Sequence, residues 1–395
     1  MSSTTPHVSS LTGAAAKPRP GLRIGIDGDA LRTPLSGVGQ YVYQLCAALE
    51  PLLSPRAELL VYTRHPRAAL ALPSARFVVR QEPRAALRRL PSFVWLKTRG
   101  RRMCARDGID AFWAGRTLHP SLAAPVRTVC TVHDLNHLLV PQTMQPATRV
   151  SHALWFARDV RRADGVIANS EGTARRLAER LGVEADAVVY PGVDARFRPL
   201  GHEARARTAA ELAKHDIRPP YLLCVGTLEP RKNVSTTFRA FLALKEAGQL
   251  PNHQLVLAGA RGWQDPALAR ALSDAHAAGV RLPGFVPDAL LPGLYALADL
   301  VLVPSLYEGF GMPALEARAC GARVLVSETP ELREAAGPRG VAVEPTVEGL
   351  RAGIVHALAL DEPPDELPGA GHTHHAFRWD LGARQLATLL GALPA

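Results

Sequence analysis

Residues 300–317 read LVLVPSLYEGFGMPALEA, and this stretch carries the strongest structural signal in the chain. The uncharged apolar run at 300–303 predicts a buried strand. Gly309 and Gly311 predict a tight turn in which the backbone can approach a ligand closely. Pro313 suits the first position of a helix. A strand, a glycine turn and a helix in this order are typical of an α/β domain, which binds ligands outside the carboxyl ends of its strands.

The same alternation of apolar runs and helical segments continues on both sides of this stretch. Further strands are predicted at residues 22–27, 59–62, 75–79, 111–113, 126–132 and 165–168, then at 221–225, 254–258, 280–282 and 323–326. Helical patterns separate most of these runs. Such alternation favours mostly parallel sheets covered by helices.

The length of 395 residues is too great for one core and predicts two or three domains. Residues 1–20 are rich in Ser, Thr, Ala and Pro and are interpreted as a disordered tail. We expect a Rossmann-like domain over 21–198 and a second over 199–395, with a Pro-punctuated linker near 191–220. The predicted fold is therefore α/β, with two Rossmann-like domains facing each other across a cleft.

The composition limits the classes of function. The net charge of +10 favours an anionic partner such as a phosphate, a nucleic acid or an acidic membrane surface. No apolar run is long enough to span a bilayer, and no signal-peptide pattern opens the chain. The five cysteines are scattered and form no CxxC pair. We expect a cytoplasmic protein without a metal site or disulfide framework.

Two glutamates in the opening stretch are candidate ligands for a sugar. Glu308 lies in the predicted turn and Glu316 lies one turn inside the predicted helix. A carboxylate can accept hydrogen bonds from two neighbouring hydroxyls, and ribose and hexoses both offer such pairs. The backbone amides of Phe310, Gly311 and Met312 would stand at the start of the helix, where they favour an anion.

A second candidate site follows the predicted strand at 221–225. Gly226 and Thr227 lead into Arg231 and Lys232. An arginine fork and a compact lysine charge at the carboxyl end of a strand can bind a diphosphate. Gly226 permits close approach of the phosphate or sugar.

Two weaker signals lie in the first half of the chain. Residues 34–41, with Gly37 and Gly39, resemble a phosphate loop but lack the lysine of a P-loop. His133 follows a predicted strand, so we expect its side chain at the cleft, where a neutral imidazole can bind a sugar hydroxyl or orient a phosphate. Asp27 and Asp29 form a DxD pattern. Because no further carboxylates accompany it, we do not interpret this pattern as a metal site.

These motifs together resemble the retaining glycosyltransferases of family 4, which have the GT-B fold. The resemblance extends from about residue 22 to about residue 390. It rests on the following segments: SGVG at 36–39, VHDL at 132–135, IANS at 167–170, YPGVD at 190–194, GTLEPRKN at 226–233, and the Glu308/Glu316 pair.

The resemblance implies a role for each matching residue. Glu308 would hold hydroxyls of the donor sugar, and Glu316 would bind the ribose diol. Arg231 and Lys232 would neutralise the diphosphate leaving group, while His133 would line the reaction centre. The remaining donor-binding residues would be Gly37, Gly39, Gly226, Thr227, Phe285, Phe310, Gly311, Met312 and Leu315. The helix near 376–395 would cross back to the first domain.

The same resemblance implies the chemistry. A hexose would move from a sugar nucleotide, with GDP-mannose as the leading donor, to a saccharide or lipid-linked acceptor in polysaccharide assembly. The family retains the anomeric configuration and needs no catalytic metal or other cofactor. Two alternatives stay open: a sugar-nucleotide 2-epimerase of the same fold, and a non-catalytic nucleotide-sugar-binding protein.

Residues 84–106 contain eight Arg or Lys and no acidic residue. Trp95 and several leucines are interleaved with these charges. This pattern is typical of a segment that lies on an anionic membrane surface. The alternative is a helix that packs its apolar side on the sheet and leaves its arginines in water. No aromatic-basic module for nucleic acid is present.

Overall fold

A computed structural model describes residues 21–260, 262, 270–272, 275–360 and 377–393. The predicted tail at 1–20 lies outside the described residues. The described chain forms two parallel sheets, one of seven strands and one of six. The prediction of an α/β protein with two Rossmann-like domains is confirmed.

The first sheet has the strand order β3-β2-β1-β4-β5-β6-β7. Its strands are β1 Arg23–Asp27, β2 Glu58–Thr63, β3 Phe77–Gln81, β4 Ala111–Ala114, β5 Arg127–Val132, β6 Gly165–Ala168 and β7 Ala187–Val188. The helices of this half are α1 Gly37–Leu49, α2 Ser92–Trp95, α3 Arg101–Asp107, α4 Asn136–Leu139, α5 Pro146–Arg162 and α6 Glu171–Leu181. A π-helical segment, Leu96–Gly100, joins α2 to α3.

The second sheet has the order β10-β9-β8-β11-β12-β13. Its strands are β8 Tyr221–Val225, β9 Gln254–Ala258, β10 Val280–Gly284, β11 Leu300–Val303, β12 Val324–Ser327 and β13 Val341–Val343. Its described helices are α7 His202–Ala213, α8 Val234–Glu246, α9 Leu291–Ala296, α10 Met312–Ala319, α11 Pro330–Ala336 and α12 Val347–Ala359. A short 3-10 helix, Pro230–Lys232, precedes α8.

The final helix, α13 Trp379–Leu389, packs on the first half of the chain. Its buried residues Ala383 and Leu386 belong to the same apolar cluster as Leu45 of α1. The Trp379 ring also lies edge-on to the Tyr41 ring, with centroids 5.6 Å apart. The end of the chain is therefore held by the apolar core of the first sheet.

The strand order places one crevice in each sheet. In a doubly wound sheet the ligand crevice lies where the strand order reverses, outside the carboxyl ends of the two strands that meet there. Here the reversals fall between β1 and β4, and between β8 and β11. The loops after these four strands are therefore the candidate ligand sites of the molecule.

Three features differ from the sequence prediction. The edge strands β7 and β13 are short and lack the long apolar run by which a buried strand is recognised. The stretch predicted as a linker contains α7. The glycine motif at 36–39 is not a free loop but the first turn of α1, because the Ser36 hydroxyl accepts a hydrogen bond from the Gly39 amide at 3.1 Å and so caps the helix.

Candidate active site

The crevice between β8 and β11 brings the two strongest sequence signals together. The loop after β8 carries Arg231 and Lys232, and the loop after β11 carries Glu308. Glu308 accepts from Lys232 Nζ at 2.6 Å through Oε1 and lies 2.6 Å from Arg231 Nη1 through Oε2. The Ser305 hydroxyl donates to Oε1 at 2.8 Å. The sequence predicts all three charged residues at one site but not that they pair with one another.

This ion-pair cluster is largely shielded from water. Only 9% of Glu308 is exposed. Burial on its own would raise the pKa of Glu308, but attraction to Arg231 and Lys232 outweighs burial and lowers the pKa to about 2. Glu308 is therefore a carboxylate at every physiological pH.

Arg231 and Lys232 differ in how much of their hydrogen-bonding capacity the protein uses. Arg231 donates from Nε and Nη2 to Glu229 at 3.1 and 2.8 Å, and from Nη1 to the Tyr307 carbonyl at 2.9 Å. With Glu308 added, most of its five N–H groups are committed. Among the described residues the Lys232 ammonium donates to Glu308 alone, so it keeps donors for a ligand.

Glu316 lies on α10, in surroundings unlike those of Glu308. Its Oε2 accepts a hydrogen bond from the Tyr295 hydroxyl at 2.8 Å. Burial raises the pKa of Glu316 to about 7, and the hydrogen bond from Tyr295 only partly opposes that rise. This carboxyl group therefore changes its charge near neutral pH.

The glycine turn before α10 presses against the first domain. A Cβ atom at Gly309 would come within 1.6 Å of the His133 carbonyl oxygen. No side chain fits there without movement of the backbone. The close approach that this glycine permits is thus to the protein itself, whereas the sequence predicts an approach to a ligand.

Hydrogen bonds across the cleft hold the same turn in place. The Gly309 carbonyl accepts from the Ser170 hydroxyl at 2.7 Å and from the Thr173 hydroxyl at 3.0 Å. The Tyr307 hydroxyl accepts from the Leu135 amide at 3.1 Å. The turn that carries Glu308 is therefore positioned by both domains.

A second set of contacts across the cleft lies at α11. Glu331 is fully buried and pairs with Arg176 of α6. Glu334 accepts from the backbone amides of Gly172 and Glu171 at 2.6 and 3.0 Å. Carboxylates of the second domain thus satisfy free amides at the start of α6, where the helix dipole favours negative charge.

His133 lies on the opposite side of the cleft from the ion-pair cluster. Its Nε2 is 2.7 Å from the Gly115 carbonyl oxygen, which can only accept, so Nε2 carries the proton. Burial lowers the pKa of His133, although the bond to Gly115 opposes this shift. The neutral ring leaves Nδ1 as an acceptor.

The other predicted donor-binding residues divide by exposure. Thr227 is exposed, and Phe285, which directly follows the edge strand β10, has 69% of its surface exposed. Phe310 and Leu315 are buried in the apolar core, so only their backbone can reach a ligand. The Phe310, Gly311 and Met312 amides donate to no oxygen of the described residues, which leaves them available at the start of α10.

The predicted glycines are needed for internal contacts as well. A Cβ at Gly39 would lie 2.6 Å from the Ala30 carbonyl oxygen, whereas one at Gly37 would meet open space. Gly226 has a φ of +140° and faces the Lys232 side chain. Gly311 has a φ of +106° and packs against Leu332. Three of these four glycines are therefore required by the fold itself.

The basic stretch 84–106 packs its apolar side on the first sheet. Trp95 and Leu96 are buried, with 1% and 2% exposure, so neither can anchor the protein in a membrane. Arg99 pairs with buried Glu82, and Lys97 pairs with buried Asp159. The remaining exposed charges are those of Arg84, Arg89, Arg101, Arg102 and Arg106. No helix among the described residues is long and apolar enough to cross a bilayer.

Sequence reasoning missed the neutral partners of the charged groups. Ser305 and Tyr295 donate to the two glutamates, and Ser170 holds the turn from across the cleft. Ser305 had a usable signal, since it lies two residues after the carboxyl end of a predicted strand. Tyr295 had none, because its contact with Glu316 depends on how α9 packs on α10.

Comparison with known protein families gives two matches that together span most of the chain. Residues 35–197 match the model described as Glycosyltransferase Family 4, and residues 208–370 match the model described as Glycosyl transferases group 1.

Individual relatives agree with these family matches. The chain is 39% identical over 143 residues to O-antigen chain mannosyltransferase B of Escherichia coli, which covers 36% of this chain and 37% of that protein. It is 31% identical over 278 residues to the serotype-specific mannosyltransferase WbdA of the same species, covering 68% of this chain and 32% of WbdA. The chain thus spans about a third of the length of these relatives.

A solved structure supports the fold independently. Sucrose-phosphate synthase from Thermosynechococcus elongatus superposes with a TM-score of 0.67 at 20% identity, covering 94% of this chain and 95% of that one. At this level of identity the likeness is evidence for the fold alone.

Proposed function

The chain belongs to the family 4 and group 1 glycosyltransferases, and from this premise we propose that it transfers a hexose from a sugar nucleotide to a saccharide or lipid-linked acceptor in polysaccharide assembly. The observation that carries the proposal is the Glu308 cluster, in which one buried carboxylate holds Arg231 and Lys232 at the carboxyl ends of β8 and β11.

Lys232 is the residue that we assign to the leaving group. A departing nucleoside diphosphate gathers negative charge, and a cation placed before the reaction stabilises that charge without reorganising. Lys232 retains free N–H donors, whereas Arg231 uses most of its own on Glu229, Tyr307 and Glu308. We assign Arg231 mainly to holding the turn, and the amides of Phe310, Gly311 and Met312 to the diphosphate.

The two glutamates receive different tasks. Glu308 keeps acceptor capacity beyond its three partners, since a carboxylate offers about four lone-pair sites, and we assign the remaining capacity to a hydroxyl of the donor sugar. Glu316 lies farther along α10, where a carboxylate can accept from both hydroxyls of a ribose. The exposed ring of Phe285 lies on the same edge of the sheet and is assigned to the base.

GDP-mannose is the donor that we propose, and the relatives named as mannosyltransferases support this choice. We further propose a retaining reaction, in which the acceptor attacks the same face from which the diphosphate leaves and the diphosphate takes its proton. This route needs no nucleophilic carboxylate. It requires the protein only to position the two substrates and to stabilise the charge of the leaving diphosphate. The donor site in this proposal uses no metal ion or further cofactor.

The first experiment is a calorimetric titration with GDP, UDP and ADP, followed by transfer assays with the matching sugar nucleotides. We expect micromolar binding of GDP and loss of that binding in Glu316→Ala. Proton NMR of the product then gives the configuration of the new linkage, and an inverted anomer would contradict the retaining proposal.

The same assays distinguish a transferase from a sugar-nucleotide 2-epimerase. A 2-epimerase changes the sugar of the nucleotide without an acceptor, whereas a transferase releases the nucleotide. Both family matches are to glycosyltransferases, which favours the transferase. Binding of a nucleotide without any turnover would instead support the non-catalytic alternative.

A further inference from the structure

Helix α6 of the first domain contacts the chain on both sides of Glu308. The Thr173 hydroxyl donates at 3.0 Å to the carbonyl of Gly309, the residue after Glu308. The Arg176 guanidinium lies over the ring of Tyr307, the residue before Glu308, with its Cζ 5.4 Å from the ring centroid. Thr173 and Arg176 are three residues apart and are therefore neighbours on one face of the helix. This face of α6 lies against both neighbours of Glu308.

Tyr307 is held by both domains. Its side chain is buried, with only 2% of the residue exposed. Its hydroxyl accepts from the Leu135 amide of the first domain at 3.1 Å. Its carbonyl accepts from Arg231 Nη1 of the second domain at 2.9 Å. Because that carbonyl belongs to the peptide group that leads into Glu308, a displacement of the Tyr307 ring would also displace the Glu308 carboxylate.

Arg176 is in turn fixed by a carboxylate of the second domain. Its Nε donates to Glu331 Oε1, and its Nη2 donates to Glu331 Oε2 at 3.3 Å. Two parallel bonds of this kind determine the plane of the guanidinium as well as its location. Glu331 has little freedom to move, since it is fully buried and a Cβ at Gly172 would lie 2.6 Å from its Cγ. The second domain therefore determines how the guanidinium covers the Tyr307 ring.

Other bonds join the two domains without this ion pair. The Ser170 hydroxyl donates to the Gly309 carbonyl at 2.7 Å. Glu334 accepts from the Gly172 amide at 2.6 Å. A buried ion pair also adds little stability over two apolar side chains of similar size, because the charges lose their hydration. The specific contribution of the pair is a guanidinium fixed over the Tyr307 ring, whose face attracts a positive charge.

We propose that Arg176 is a positioning residue of the transfer reaction: held by Glu331, it fixes the Tyr307 ring and so places the Glu308 carboxylate for the donor sugar. Arg176 acts on the donor only through Tyr307 and Glu308. The inference rests on the proposed transferase function and adds to it a residue of the first domain.

The main test is the double variant Arg176→Met/Glu331→Met, which replaces the ion pair by two apolar side chains and leaves no unpaired buried charge. We expect kcat for the release of GDP from GDP-mannose, with water as acceptor, to fall about tenfold or more, because Glu308 is displaced. Calorimetric affinity for GDP should change less than threefold, since the groups assigned to the nucleotide lie in the second domain. Arg175→Met/Glu328→Met, which changes two exposed residues near the pair, is the matched control and should change neither quantity.

Fluorine NMR reports on Tyr307 without any turnover. Protein grown with 3-fluorotyrosine carries seven labelled rings, and the resonance that Tyr307→Phe lacks belongs to Tyr307. We expect this resonance to shift or broaden in Arg176→Met/Glu331→Met and to stay in place in the control variant. A displaced ring together with a loss of kcat at nearly constant GDP affinity is the result expected of a positioning residue.

The variant Arg176→Lys distinguishes the planar guanidinium from its charge. Lysine keeps a positive charge opposite Glu331 but has no planar group to cover the Tyr307 ring. We expect kcat to fall about threefold or more, and this variant remains a test if the double variant does not fold. The inference is overturned if either variant releases GDP at the wild-type rate, if kcat and GDP affinity fall by the same factor, or if the Tyr307 resonance is unchanged in the double variant.

Failure of the proposed function gives a different pattern of results. A wild-type protein that binds none of GDP, UDP and ADP would contradict the transferase proposal. The Tyr307 resonance would then decide alone whether Arg176 positions that ring. Normal nucleotide binding and turnover in the wild type, with no effect of Arg176→Met/Glu331→Met, would contradict the assignment of Arg176 alone.

Discussion

Glu308 and Glu316 are the same residue type and lie eight positions apart, the first buried and the second half-buried. The pKa of Glu308 is nevertheless lowered, whereas that of Glu316 is raised. Two cations within 2.6 Å lower the pKa of Glu308 to about 2. Among the residues that the structure describes, Glu316 is hydrogen-bonded by the Tyr295 hydroxyl alone, and burial raises the pKa of Glu316 to about 7. Burial alone therefore does not fix the charge of a site, and the nearest charged partner decides it.

The largest expected effect comes from removing one cation of the Glu308 cluster. Lys232→Ala should lower kcat by about 10²–10³-fold, because leaving-group charge loses its stabilising cation. The pKa of Glu308 should rise at the same time. Nucleotide binding should fall much less, since Glu316 is untouched. Lys214→Ala, which changes an exposed lysine of the same domain, is the control. Equal losses in kcat and in nucleotide affinity would contradict this division of tasks.

The free energy of unfolding, measured as the pH is lowered, tests the lowered pKa of Glu308. The folded-state pKa of about 2 lies below the ordinary value of 4.5, so the carboxylate stabilises the fold fully above pH 4.5, and this contribution is lost as the pH falls toward 2. Wild type should therefore exceed Glu308→Gln in stability near neutral pH. That gap should narrow by up to about 1.4 kcal/mol per pH unit below 4.5. Urea unfolding from pH 7 to pH 3 measures it, with Glu203→Gln as the exposed control.

The substitution Gly309→Ala should displace the turn that carries Glu308 while leaving Glu316 in place. The new Cβ would overlap the His133 carbonyl at 1.6 Å and must push the turn away from the first domain. Such overpacking costs about 1–3 kcal/mol. Transfer should fall by about tenfold or more because Glu308 moves with the turn. The pH dependence of nucleotide binding should persist, because Glu316 lies on α10. Gly201→Ala, where a Cβ meets open space, should have neither effect.

The sequence predicts most of this arrangement because each element is local. The strands at 165–168, 221–225, 254–258 and 300–303 have the predicted bounds, since each is a short apolar run that ends in polar or turn residues. The charged residues of the candidate donor site lie in the loops that follow two of those strands, β8 and β11. Recognition of strand ends is thus enough to bring Arg231, Lys232 and Glu308 to one edge.

The rest depends on contacts between distant segments, which no local pattern encodes. The Tyr295 bond to Glu316, the Ser170 bond to Gly309 and the contact of Gly309 with His133 all require the helices or domains to be packed first. The burial of Trp95 likewise depends on a distant contact. The arginines around it in the sequence are typical of a segment on a membrane surface, but the Trp95 indole donates a hydrogen bond to Glu82 inside the first domain.

The pH dependence of donor binding tests the raised pKa of Glu316. We expect it to be the smallest of the predicted effects. In the proposed donor site the carboxylate form of Glu316 accepts the ribose hydroxyls. On that proposal, affinity for the donor should fall about tenfold per pH unit below the pKa of about 7 and stay constant above it. GDP-mannose is the appropriate ligand, because its diphosphate has no proton to gain in this range, unlike GDP. Glu316→Gln should abolish the slope. Tyr295→Phe removes a bond that favours the carboxylate, so the plateau should begin at a higher pH, with affinity unchanged well above it. An unchanged midpoint in Tyr295→Phe would mean that Tyr295 is bonded to Glu316 without influencing its charge. The contrast would then rest on burial at Glu316 and on the two cations at Glu308.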